Sequence, residues 1–95
     1  MNVSEMLERV KQSLRITTDA FDIQITSLIN SAVLDLGIAG VEAEVDDLML
    51  TAITTYVAMH FGDPDNYDRL KLSYAEQKAQ LQMSTGYTTW VVTNG

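Results

Sequence analysis

Asp47-Leu48-Met49-Leu50-Thr51-Ala52-Ile53-Thr54-Thr55-Tyr56-Val57-Ala58-Met59-His60-Phe61 is the stretch that decides the fold. From Leu48 to Phe61 there is no charged side chain when His60 is neutral, and apolar groups fall all round a helix drawn through these residues. A helix that is apolar on every side is either the centre of a bundle or a contact between subunits, because one flanking element covers only one face. It is too short to cross a bilayer, which takes ~20 apolar residues. The reading is a central bundle helix whose leftover apolar surface meets another copy, with Leu48, Tyr56, Met59 and Phe61 as its expected subunit-contact residues.

Working outward, the helix is bounded by Asp46 or Asp47 as a cap and by Gly62, after which Asp63-Pro64-Asp65-Asn66 makes a tight turn. A further helix is expected from about Asn66 to Met83, opened by Asp65 or Asn66. Tyr67, Leu70, Tyr74 and Leu81 trace a narrow apolar stripe on it near heptad spacing and join the expected subunit contacts. Arg69, Lys71, Glu76, Gln77, Lys78, Gln80 and Gln82 fill the rest, so this helix is mostly wet. Upstream, Phe21, Ile25, Leu28, Ile29, Ala32, Val33 and Leu36 match the i, i+3, i+4, i+7 template over four turns. That helix is expected to start at a Thr17-Thr18-Asp19 cap and to stop at Gly37. A short first helix, capped by Asn2 or Ser4, would turn Val3, Leu7, Val10 and Leu14 inward.

Ser84-Thr85-Gly86 breaks the last helix, and Tyr87 to Gly95 then reads as a β-type segment in a chain whose other segments read as helix. A strand without an internal partner stays in water, folds back over its own bundle or pairs with another chain's sheet edge; the reading favours the last, so Tyr87, Thr88, Thr89, Trp90, Val91 and Val92 are the expected partner-binding residues. Trp90 is the natural anchor, since large aromatic rings concentrate binding energy at contacts. The fold class is therefore mainly α: a small four-helix bundle over residues 1–86 with a C-terminal β-strand-like docking tail over 87–95.

Ninety-five residues make one domain, burying ~60 to 70% of the surface its unfolded chain exposes. The absence of cysteine removes disulfides, thiol nucleophiles and thiolate metal sites. Glu5 and Glu8 stand where a secretory signal would be basic and apolar, so export is not implied and assembly in the cytoplasm is permitted. The net charge of −7 is unevenly placed: residues 1 to 15 sum to +1, residues 69 to 95 to +2, and the middle carries −10 with no Lys or Arg between Arg15 and Arg69. Nucleic-acid binding relies on clustered cations near phosphates, and that footprint is absent.

Candidate chemistry is thin. His60 has no second histidine or cysteine to complete a metal or nucleophile set. Asp63, Asp65 and Asp68 resemble a calcium loop, but its sixth position would be Asp68 where glycine is required and its twelfth Tyr74 where glutamate is required. Glu42, Glu44, Asp46 and Asp47 are most simply a charged helix start. No glycine-rich phosphate loop or nucleophile elbow occurs, so an enzyme is not expected, and no cofactor or metal is expected either. An acidic protein that mimics DNA toward a basic partner is the alternative, one whose binding would collapse with salt.

Val10-Lys11-Gln12-Ser13-Leu14-Arg15-Ile16 followed by Asp19, Asp22 and Leu28-Ile29, then Ala58-Met59-His60-Phe61-Gly62-Asp63-Pro64-Asp65-Asn66-Tyr67 and Gln80-Leu81-Gln82-Met83-Ser84-Thr85-Gly86-Tyr87, resembles the head-tail connector family of tailed bacteriophages. The Phe-Gly-Asp-Pro turn, the Tyr-Asp-Arg-Leu helix start and the Thr-Gly-Tyr segment are its more distinctive parts. The resemblance implies a helical adaptor of the virion, assembled in the host cytoplasm as a dodecameric ring beneath the portal after DNA packaging. Its implied partners are further copies of itself, the portal protein and the next connector or tail completion protein, with no membrane. DNA would pass through the ring without specific binding, and acidic residues of the middle would repel it from the wall. The resemblance brings no catalytic residues.

Overall fold

The computed structural model describes residues 1–41 and 44–84. They form four helices: α1 (Val3–Leu14), α2 (Asp22–Ile38), α3 (Asp47–His60) and α4 (Tyr67–Met83). The expected C-terminal strand lies outside the described residues.

As its sequence demands, α3 is the hub. It packs against α1, α2 and α4, while α1 also packs on α2. Met49, Leu50, Ala52, Ile53, Val57 and Met59 of α3 are buried, meeting Ile25, Ile29, Ala32 and Leu36 of α2 and Met6 and Val10 of α1 in one core. From α4 only Tyr74 and Leu81 are buried, in keeping with its polar composition. Each fully buried Ile or Leu contributes about 1.5–3 kcal/mol of transfer free energy.

Local chemistry sets the helix ends. Asn2 caps α1, its side-chain oxygen accepting from the Glu5 amide at 2.8 Å. Asp46 does the same for α3 through the Met49 amide at 3.0 Å. Two helices finish in one motif, a left-handed residue whose amide bonds back three residues while the next amide bonds back five. In α1 these are Arg15 to Gln12 and Ile16 to Lys11; in α2 they are Gly40 to Gly37 and Val41 to Leu36. Gly40 accepts φ +93 without steric cost, whereas Arg15 at φ +59 carries a Cβ in the same region.

Three local expectations are corrected. Helix α2 does not begin at a Thr17-Thr18-Asp19 cap: Phe21 occupies the cap position with no side-chain bond, Thr18 accepts from the Ala20 amide, and the Asp19 carboxylate is engaged by Lys11. Nor does it stop at Gly37; it runs to Ile38, because the left-handed residue that ends it is Gly40. The buried face of α1 is Met6, Val10 and Lys11, with Leu7 and Leu14 half-buried and Val3 exposed. That face is rotated because α1 sits against α2 and α3 together.

Candidate interaction surface

Two polar clusters fix where the outer faces of the bundle point. Lys11 is the one buried charged residue among those described, 6% exposed. A buried ammonium is costly unless paired, and here Nζ lies 2.8 Å from Asp22 and 2.9 Å from Asp19, both on the segment that leads into α2. These bonds, to Asp22 first and then Asp19, outweigh the loss of water and hold the ammonium well above the usual lysine range. The result is a staple between α1 and the start of α2.

The second cluster ties the far end of α2 to α4. Tyr74 donates its hydroxyl to Asp35, and Lys78 reaches the same carboxylate oxygen at 3.2 Å while lying 5.3 Å from the Tyr74 ring centre. Burial pushes the Asp35 carboxyl up, but the bonds from Tyr74 and Lys78 prevail and leave it below its ordinary value. Burial, then the bond to Asp35, pushes the Tyr74 phenol far above the tyrosine range. Gln82 completes the join by donating to the Ala39 carbonyl at 3.0 Å, just past the C-terminal end of α2. Tyr56 packs edge-on against Tyr74 at 5.4 Å and lies 4.4 Å from the His60 ring.

With both ends of α2 held, the expected contact residues separate into two groups. Met59, Tyr74 and Leu81 belong to the chain's own core. Leu48 and Tyr67 are exposed, and Tyr56, Phe61 and Leu70 are half-buried against the core. Phe61 is engaged edge-on by Phe21 at 5.4 Å. The expected docking residues Tyr87, Thr88, Thr89, Trp90, Val91 and Val92 lie outside the described residues.

The largest exposed apolar groups are elsewhere. On α2, Ile23 is 89%, Leu34 69% and Ile38 88% exposed; on α4, Leu72 is 63% and Met83 85% exposed. The helical period of α2 marks its inner face and carries no information about the outer one. The available signal was the spacing of Ile23, Leu34 and Ile38, which brings them onto one side with Ser27 and Asn30.

A groove of about 420 Å³ between α1 and α3 is lined by Arg9, Gln12, Ser13, Leu50, Thr51 and Thr55, among others. Arg9 is paired with Asp47 at 2.8 Å, and the Thr51 and Thr55 hydroxyls donate to carbonyls of their own helix. Among the described residues no group of three or more His, Cys, Asp or Glu side chains is arranged to hold a metal ion, and no helix is long and apolar enough to cross a membrane. Asp46 and Asp47, read in the sequence as a charged helix start, have local roles: one caps α3 and the other pairs with Arg9.

These features define a small helical protein whose most distinctive surface is apolar. The family model described as phage connector protein matches residues 6–88, and the chain belongs to that family of phage head-tail connectors. No curated protein and no solved structure matches the chain significantly. Connectors of this kind are typically structural components of the virion.

Proposed function

We propose that this chain is a head-tail adaptor, assembling as a dodecameric ring beneath the portal after DNA packaging and presenting a docking surface to the next connector or tail component. The observation that carries the reading is the family match across residues 6–88, which takes in all four helices but for the first residues of α1. Apolar side chains left in water on two helices support it, since surfaces of that kind mark contacts between proteins.

In this reading residues 1–86 form the ring-building domain, and Tyr87 to Val92, anchored by Trp90, add a strand to a portal or connector subunit. Repeating one tail around a ring converts weak single contacts into a firm joint through effective concentration. Leu48 and Tyr67, with the partly exposed Tyr56, Phe61 and Leu70, are available to neighbouring copies. The acidic surface faces passing DNA and repels it.

The test is co-sedimentation with the portal protein, comparing the full chain with one ending at Ser84. Binding by the full chain and loss on truncation is expected. Binding by both would move the docking site to the helices, and binding by neither would overturn the adaptor reading.

A further inference from the structure

The groove between α1 and α3 is electrically neutral in a strongly acidic chain. Its lining includes two charged side chains, Arg9 and Asp47, and they neutralise one another at 2.8 Å. Hydroxyl and amide side chains and Leu50 make up the rest. Thr51 and Thr55 donate to carbonyls of their own helix, which leaves their oxygens as acceptors. The side chains of Gln12, Ser13 and Thr54 hold no hydrogen bond among the described residues. Mixed donors and acceptors without net charge suit an extended, uncharged polypeptide, whose backbone offers N–H and C=O groups along its length. An anionic ligand finds no unpaired cation there, and a cationic one finds no unpaired carboxylate.

A segment of that chemistry starts at the same end of the bundle. Helices α2 and α3 run antiparallel: Phe21 meets Phe61 at one end, and at the other the buried Val41 leads toward the start of α3. Helix α4 finishes at this second end, where Gln82 bonds to Ala39. The groove begins there too, at the Arg9–Asp47 pair, and follows the first turns of α3. Residues 85–95, which lie outside the described residues, come next in the chain. From Ala79 to Gly95 the sequence has no charged side chain and no proline, and Tyr87 to Thr93 is rich in the threonine, valine and aromatic residues of extended chain. Eleven extended residues reach about 36 Å, against about 21 Å for the whole of α3.

We infer that residues 85–95 of the same chain occupy the groove between α1 and α3 in the free protein and leave it when a partner takes them. The inference rests on the docking role proposed for Tyr87 to Val92 and adds its regulation.

Tethering selects the chain's own segment over that of a second copy. A short link holds it at a high effective concentration, whereas copies that each carry −7 repel one another. A strand-type run without charge or proline also invites edge-to-edge aggregation when left bare, and the groove covers it until it is needed. The hold is weak, because about 420 Å³ takes only part of the segment. A partner's sheet edge supplies backbone bonds along the whole strand and displaces it.

Trp90 is the only tryptophan and the chain has no cysteine, so one fluorophore and one added label read the contact directly. A nitroxide, which quenches tryptophan at short range, is attached to full-length Gln12→Cys beside the groove or to Ser27→Cys on the outer side of α2, both exposed positions, with no phage partner in the tube. The label at position 12 is expected to quench Trp90 several-fold more than the label at position 27, and to the same degree after tenfold dilution. Thr51→Glu, introduced at an exposed position of the groove in the Gln12→Cys chain, is expected to abolish that excess with helix content unchanged by circular dichroism. Equal quenching from both positions, or an excess that survives Thr51→Glu, would overturn the inference. An excess that disappears on dilution would overturn it in favour of a second copy's segment. Because the portal is absent, each of these failures leaves the adaptor reading standing, and failure of portal binding leaves this result intact.

Discussion

Helices α2 and α3 are alike in composition and unlike in fate. Neither contains Lys or Arg, their acids are few, and both are rich in Ile, Leu, Val and Ala. Yet α3 has its large apolar side chains buried or, at Tyr56, half-buried, with only Leu48 exposed, while α2 leaves Ile23, Leu34 and Ile38 in water. The difference is in neighbours: α3 is packed by three helices, whereas α2 is packed by α1 and α3 and is joined to α4 by hydrogen bonds to the Asp35 carboxylate and the Ala39 carbonyl. Apolar content alone does not identify the centre of a small bundle. The number of elements around a helix decides how much of its apolar surface the single chain can cover, and the remainder is available to other chains.

The widest separation is expected between core and outer-face truncations. Ile53→Ala should lower stability by about 2–5 kcal/mol through lost burial and a residual cavity. Leu34→Ala should stay within about 0.5 kcal/mol of the parent, as surface changes do. Urea titration of the two variants checks this, and equal losses would show that the two faces contribute alike to stability.

Alkaline titration tests the staples that hold α2 in place. Lys11 and Tyr74 both keep their protons in the folded chain at pH values where the unfolded chain releases them, so the unfolded state binds fewer protons and stability falls as pH rises. Their contributions are complete below the ordinary values of 10.5 and 10.0 and are lost above them. The melting temperature should therefore drop from about pH 10 upward, less steeply in Tyr74→Phe, where only the lysine part remains. A melting temperature level through that range would show that neither cluster stabilises the folded chain. At the acid end Asp35 acts in the opposite sense: its depressed pKa gives stability that is present above 3.8 and lost as pH falls through the folded value.

Smaller effects are expected at the helix ends. Asp46→Ala should cost about 1 kcal/mol, because α3 loses the acceptor for its Met49 amide. Arg15→Gly should stabilise the chain by roughly 0.5–1 kcal/mol, by relieving the left-handed strain that Gly40 avoids in the matching motif of α2. Thermal melts followed by circular dichroism resolve both.

How much of this was legible in the sequence follows from the range of the interactions. Asp46, Gly62 and Pro64 act within a few residues, so the limits of α3 and the start of α4 could be read directly, and the inner face of α2 announced itself by its period. Lys11 could not be read as buried, because its burial depends on Asp19 and Asp22 arriving from across a turn, and a lysine beside Val10 looks like solvent-facing charge. The start of α2 lies beyond Asp19 for the same reason: Asp19 is an excellent cap by type, but the Lys11 ammonium competes for it. Met59, Tyr74 and Leu81 look like interface residues while neighbours are unknown and turn out to line the core. The helix template marks the face that goes inward and is silent about Leu34 and Ile38 on the other side.

Helix α3 holds the chain together by packing on three neighbours, and the outer face of α2 is apolar surface left for contact with other chains. Native mass spectrometry of portal rings titrated with this protein, wild type beside Leu34→Glu, tests it most directly. Cooperative loading of many wild-type copies is expected, with sparse, independent loading of a variant that melts at the parent temperature. Cooperative loading by Leu34→Glu equal to that of the wild type would contradict it.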